Sequence, residues 1–250
     1  MILSRVHVEK LKPYWENLLN SLEKEQLFSG SFLDRSTAWD IFNMICTFYN
    51  SSNRHYHNLA HILDMLDNTE EIIHKDKIFD KPILQTAIIF HDVIMVENSG
   101  QSETASASFA YQCLDSLDVA SEFKHEVYNM IIATNYSKPP KFELTIEIML
   151  LMDLDFHILS RPWDIYNEYL LNIKKEYGMF PDHIFYYWRM AFLNKLLLKP
   201  SIFQTDDFKR KYQSAAINNI KSELTYIGLK GTNMNAVFDL IKAYNLKEPT

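Results

Sequence analysis

Apolar side chains recur at helical intervals along almost the whole chain, and nowhere do they alternate at period two over a sustained run. One stripe gathers Val6, Leu11, Trp15, Leu18, Leu19 and Leu22, and a second gathers Trp39, Phe42, Met44, Ile45 and Phe48; both read as amphipathic helices. Thr37-Ala-Trp-Asp40 has capping-box spacing, and Pro162 and Pro181 each stand where a helix opens with proline in its first turn. The same spacing predicts further helices near 57–74, 82–96, 102–116, 120–134, 143–159, 162–177, 182–199, 206–227 and 233–245. The expectation is an all-α chain.

Glycine scarcity agrees, because glycine weakens a helix interior by about 1 kcal/mol relative to alanine. There are five in 250 residues, Gly30, Gly100, Gly178, Gly228 and Gly231, and none is spaced to build a G-x-G-x-x-G turn or a P-loop. Dinucleotide folds and P-loop NTPases are therefore excluded, and any phosphate must be held by something other than a glycine-rich nest of backbone N–H groups. A net charge of −7 argues against binding long nucleic acids, which calls for concentrated Lys and Arg. Cys46 and Cys113 are too few for a disulfide framework and lie in helical core sequence, which suits a reducing compartment. Arg5, His7, Glu9 and Lys10 make the first ten residues unlike a signal peptide or membrane anchor, and no apolar run approaches the roughly 18 residues of a spanning helix. A cytoplasmic protein without a membrane partner is expected. The breaks at 51–53, 98–101, 136–141 and 177–179 are of turn length, so the chain reads as one domain over 1–250, with a C-terminal helical subdomain from about residue 161 as the alternative.

Three segments carry candidate chemistry. In Arg54-His-Tyr-His-Asn-Leu-Ala-His61, His57 and His61 are four apart and would share one face of a helix; the plainer reading is two hydrogen-bonded histidines. His91-Asp92 sits inside the apolar run Ile88–Met95, where an ionised pair is costly unless matched by a partner or a cation; the plainer reading is a helix end, with Asp92 at solvent and His91 capping a carbonyl. Asp153 and Asp155 are again embedded in apolar sequence; one alone reads as a buried cap or salt-bridge partner, whereas two invite a cation. In chain order, His61, His91, Asp92 and Asp155 offer two imidazoles and two carboxylates, a mixed set suited to one divalent ion such as Mn²⁺, Fe²⁺, Zn²⁺ or Ni²⁺, and less comfortably Mg²⁺.

The order H…HD…D resembles the signature of the HD superfamily of all-helical metal-dependent phosphohydrolases. Within it, the chain is most similar to the small bacterial group described only as predicted metal-dependent HD phosphohydrolases. The motifs in common are R-x-Y-H-N-L-x-H as Arg54–His61, F-H-D as Phe90–Asp92, E-x-x-S-A as Glu103–Ala107, D-x-D with a following I-L over Asp153–Leu159, E-Y as Glu176-Tyr177, and R-x-x-F-L as Arg189–Leu193. They run in order from about residue 10 to residue 225. The resemblance implies an HD-like helical bundle with additional C-terminal helices. It also favours Asp155 over Asp153 as a ligand. The opening resembles the Y-H-N-x-x-x-H element of cyclic nucleotide phosphodiesterases as well, which implies proton donation by His57 and metal ligation by His61. Two departures stand out. Where relatives carry a histidine after I-x-x-T this chain has Ile131-Ile-Ala-Thr134-Asn-Tyr136-Ser, which favours a single metal ion, and the N-E pair becomes Ser102-Glu103.

The expected activity is hydrolysis of a phosphomonoester or phosphodiester, with a nucleotide among the candidate substrates, by metal-activated water. The metal set is His61, His91, Asp92 and Asp155. Catalysis falls to His57, Arg54 and Glu103, and substrate binding to Arg54, His57 and Arg189, because guanidinium pairs with phosphate oxygens. For Arg189 an interhelix salt bridge competes with that role. Glu103 could hold metal-bound water or simply open a helix. Lys138 and Lys141 read as a solvated loop or a basic lid, His7, His74, His125 and His183 as surface residues, and His157 as a core residue. Phe185-Tyr-Tyr-Trp188 with Phe192 reads as core ahead of a nucleobase stack. The rival functions are an HD-type binding or regulatory module without turnover and, less well matched, an HD-type di-iron oxygenase.

Overall fold

The computed structural model describes residues 2–28, 33–73, 79–96, 100–138 and 140–229. Among them run ten α-helices: α1 (Ile2–Lys24), α2 (Arg35–Tyr49), α3 (Leu59–Ile73), α4 (Lys81–Phe90), α5 (Ser102–Ser116), α6 (Ser121–Ala133), α7 (Ile146–Phe156), α8 (Trp163–Glu176), α9 (Asp182–Leu198) and α10 (Asp206–Leu229). A 3₁₀ turn, His157–Ser160, follows α7, and an isolated β-bridge joins Phe28 to Val119. The chain is all-α, as the periodicity requires. The helix expected at 233–245 and His74 lie outside the described residues. None of the described helices is long and apolar enough to cross a membrane. Two compact units divide between Leu151 and Met152, inside α7.

The first unit is organised around α4, in which Pro82 through Phe90 are all buried. A helix apolar on every side belongs in the middle of a bundle, and α1, α3, α5 and α6 pack around it. Asp80 caps it by accepting the Ile83 N–H at 3.0 Å, with Pro82 in the first turn. From α1, Leu11, Trp15, Leu18, Leu19 and Leu22 are buried as expected, each adding roughly 1.5–3 kcal/mol on the usual scale for a large apolar side chain. Val6 is instead exposed. Trp15 meets Phe42 and Phe90 with ring centroids 5.9 and 6.4 Å apart. Cys46 and Cys113 are unpaired and buried, and burial pushes both thiols up to about 12, which leaves them inert.

Helix α2 differs from expectation in two ways. Its buried face is Ala38, Ile41, Phe42, Ile45, Cys46 and Tyr49, while Met44 and Phe48 are exposed. Tyr49 turns inward because its hydroxyl finds the Ile89 carbonyl at 3.0 Å, which removes the cost of burying it. The N-cap is Asp34 and not Thr37: the Asp34 carboxylate accepts the N–H groups of Ser36 and Thr37 at 3.0 and 3.2 Å and the Thr37 hydroxyl at 2.7 Å. An ionised acceptor that takes three donors outcompetes a hydroxyl for the cap.

In the second unit α10 packs on the 3₁₀ turn and on α9, and α8 packs on the same turn. Asp153, fully buried, accepts the N–H groups of Gln204 and Thr205 at 2.5 and 2.8 Å and the Thr205 hydroxyl at 2.6 Å, joining α7 to the start of α10. Burial pushes its carboxyl above the ordinary range against the pull of those donors. Asn219 ties α10 to the turn through the Leu159 and Arg161 carbonyls at 2.9 and 2.8 Å. Phe185, Tyr186 and Trp188 are buried, and His157 is buried against Tyr212 and Phe208. Three residues of the aromatic run and His157 thus lie in packed interior, while Tyr187 and Phe192 are half-buried.

Candidate metal centre

Two chain breaks in the first unit build the site. The earlier one lies ahead of α3. Expected from residue 57, the helix begins at Leu59, because Asn58 serves as its cap: Oδ1 accepts the Ala60 N–H at 2.8 Å, and Nδ2 donates to the His55 carbonyl at 3.0 Å. His57 therefore sits in the preceding turn, and His61 in the first turn of the helix. They approach each other through that turn and not through helical spacing, with rings 6.1 Å apart. The Tyr56 ring lies 5.0 Å from His57 and 4.8 Å from His61.

The later break is the end of α4, expected at residue 96 and found at Phe90. Buried helix ends must place their last carbonyls, and this one does so with side chains. His91 Nδ1 lies 2.9 Å from the Ile88 carbonyl, and the Tyr49 hydroxyl donates to that of Ile89. Arg54 donates from Nη1 to the Asp92 carbonyl at 2.6 Å and from Nη2 to the Val93 carbonyl at 2.8 Å. Beyond the turn, the Ser106 hydroxyl of α5 both accepts the Ile94 N–H at 3.0 Å and donates to the Ile94 carbonyl at 3.1 Å. With its Nδ1–H on a carbonyl, His91 turns Nε2 toward Asp92, and release of the Nε2 proton on metal binding would leave there the lone pair a ligand needs.

His61 Nε2 and His91 Nε2 lie 3.9 and 3.1 Å from Asp92 Oδ2. One ligand atom from each of the three residues falls within 4.8 Å of the others. An ion with tetrahedral bonds of about 2.1 Å sets its ligand atoms roughly 3.4 Å apart, so these three fit one ion after small side-chain adjustments. Both imidazoles are buried, whereas the Asp92 side chain keeps 23% of its exposure, which leaves one side open to a small ligand. Burial would raise the Asp92 carboxyl, yet the charges of His91, His57 and His61 and a hydrogen bond from His91 outweigh it and hold the group well below the ordinary carboxylate range. Asp92 thus stays an anion beside two imidazoles, the electrostatic half of a cation site.

The other expected residues have the following partners and places. Besides the Asp92 and Val93 carbonyls, Arg54 donates to the His57 carbonyl at 2.9 Å, and it is buried with its guanidinium carbon 5.1 Å from the Tyr49 ring centroid. Glu103, in the first turn of α5, accepts from Asn135 Nδ2 at 3.1 Å. Asn135 follows the Ile131–Thr134 stretch, and its Oδ1 accepts the Lys138 N–H at 3.1 Å. Asp155 is half-buried on α7 and belongs to the second unit. Arg189 is buried there, with Nε and Nη2 on Glu223 at 2.7 and 3.0 Å and Nη1 on the Tyr169 hydroxyl at 2.9 Å. That is the interhelix salt bridge, and it takes every guanidinium nitrogen that would have clamped a phosphate. Lys138 and Lys141 are exposed.

Sequence reasoning missed Asn58, Tyr49 and Ser106. An asparagine just ahead of an apolar run is a cap signal that could have placed the start of α3; nothing local marks the other two. No protein-family model, no curated protein and no solved structure matches this chain.

Proposed function

We propose that the chain is a metal-dependent phosphohydrolase whose ion is held by His61, His91 and Asp92. The observation that carries this reading is the convergence of two imidazole nitrogens and an anionic carboxylate on one partly open point, with Nδ1 of His91 engaged by a carbonyl so that Nε2 is the nitrogen turned to the ion. Two nitrogens and one oxygen suit Zn²⁺, Mn²⁺, Fe²⁺ or Ni²⁺ better than Mg²⁺, and three protein ligands are the usual number where a coordination position stays open for catalysis. When bound, such an ion supplies Lewis-acid polarisation of a phosphoryl oxygen and lowers the pKa of water. His57, half-buried and directed by the turn that Asn58 closes, is the proton donor to the leaving oxygen. The order of these residues is what the HD resemblance rests on, and a small phosphorylated molecule such as a nucleotide is the proposed substrate class.

The test is metal content of protein purified without chelator or nickel resin, followed by hydrolysis of mononucleotides, cyclic nucleotides and simple phosphomonoesters. His91→Ala and Asp92→Ala should lose the ion and the activity together; rates equal to those of the unaltered protein would refute the assignment. Asp155→Asn in the same assay decides whether the fourth ligand implied by the resemblance takes part.

A second reading, a metal-holding regulatory module without turnover, is favoured by one observation: Arg54 and Arg189, the two arginines expected at phosphate, are both committed to protein partners. Calorimetric binding of a nucleotide without product formation would establish it.

A further inference from the structure

Arg54 is placed where a phosphate clamp was expected, yet its donors face inward. Nη1 is shared between the His57 carbonyl at 2.9 Å and the Asp92 carbonyl at 2.6 Å, and Nη2 reaches the Val93 carbonyl at 2.8 Å. These acceptors belong to two turns separated by over thirty residues of sequence: one presents His57 and leads into the helix carrying His61, and the other presents His91 and Asp92. Three carbonyls on one planar fork fix relative position in a way a single hydrogen bond cannot. The location also matters electrostatically. The end of α4 concentrates carbonyl oxygens, the negative pole of the helix, and a guanidinium there complements them. Tyr49 closes the arrangement from behind: its ring carries the guanidinium at 5.1 Å while its hydroxyl holds the neighbouring Ile89 carbonyl.

We infer that Arg54 is a positioning residue for the metal centre, which sets the spacing of His61 against His91 and Asp92 by joining the two turns through their backbone and does not contact substrate phosphate. The inference rests on the proposed metal site. It predicts that metal affinity, and not only stability, depends on the geometry of the guanidinium. Outer partners that orient ligands in this way typically change metal affinity about 10- to 100-fold when removed.

The full-length chain is titrated with Co²⁺, following the visible d–d bands, for the unaltered protein and for Arg54→Ala, Arg54→Lys and His91→Ala. The expected result is Co²⁺ binding about 10- to 100-fold weaker in Arg54→Ala, with altered bands, far-ultraviolet circular dichroism unchanged, and affinity restored by added guanidinium but not by methylammonium. Lysine keeps a positive charge but offers one nitrogen in place of the fork, so Arg54→Lys should also bind more weakly. Unaltered affinity and bands in either arginine variant would overturn the inference while leaving the metal site intact, provided that His91→Ala loses Co²⁺. Absence of Co²⁺ binding by the unaltered protein would overturn the metal site itself. If both arginine variants fail to fold, Arg54 is a folding residue and the inference fails as well.

Discussion

Arg189 and Glu223 form a two-point ion pair inside the second unit, and the Tyr166 hydroxyl donates to the same carboxylate. Removing one partner of such a pair leaves a charge in a low-dielectric interior, which typically costs about 3–5 kcal/mol, whereas replacing both with apolar residues of similar size is close to neutral. Arg189→Ala should therefore lower the unfolding free energy by about 3–5 kcal/mol in urea titration, and Arg189→Met with Glu223→Leu should recover most of it. A loss below about 1 kcal/mol would mean that the pair is solvated and the arginine available for another role. The same contrast explains which residues could be read from sequence. His61, His91 and Asp92 were legible because a polar side chain in an apolar run is costly wherever the chain folds, so its presence demands a partner. The role of Arg54 was not, and for Arg189 and Asp153 the interhelix salt bridge and the buried cap stood only as alternatives beside phosphate and metal binding. Their partners are a pair of carbonyls at the end of α4, a carboxylate on α10 and two backbone N–H groups ahead of α10, none of which has a local signature.

Among the described residues, helices were legible in number and type, because each buries a stripe whose period the sequence must carry. Their ends were less so, and at this site the ends matter most. Expected from 57 and to 96, α3 and α4 begin at Leu59 and stop at Phe90, and both differences place a proposed ligand or proton donor on a turn instead of a helix. In each case a polar side chain offers the backbone a better partner than the next helical turn would. The stripe of α2 shifted for a related reason: the Ile89 carbonyl removes the penalty of burying the Tyr49 hydroxyl, while Phe48 stays exposed in edge contact with Phe109. Asn58 allows a direct check of the cap. Asn58→Ala removes the acceptor for Ala60 N–H and the donor to His55, and should destabilise the protein by about 1 kcal/mol. Asn58→Asp keeps the acceptor and loses the donor, so it should recover most of that stability while leaving the His57 turn less firmly closed. Urea unfolding reads the first effect, and equal losses in the two variants would show that the His55 bond, not the cap, is what holds the turn.

For the molecule as a whole, the all-α architecture follows from helical periodicity together with scarce glycine. The division between Leu151 and Met152 had no such marker, since it falls within the continuous apolar run of α7. The proposed ion belongs to the first unit, and its effect on that unit can be stated in advance. A ligand that binds only the native state adds RT ln(1 + [L]/Kd), which is about 2.7 kcal/mol when free metal reaches a hundred times Kd. Unfolding of the unaltered chain should therefore become harder by about that amount on adding Zn²⁺ or Mn²⁺ and return to its starting value with chelator, while His91→Ala should show neither change. Hydrogen exchange locates the effect. His61 lies in the first turn of α3 and His91 at the end of α4, so slower exchange should appear in the amides around 58–65 and 87–96. The turn carrying Ile94 should share it, because Ser106 ties that amide and carbonyl to α5 behind the ligands. Metal-induced stabilisation that survives in His91→Ala, or slower exchange confined to other segments, would place the ion elsewhere and remove the basis for the proposed hydrolase.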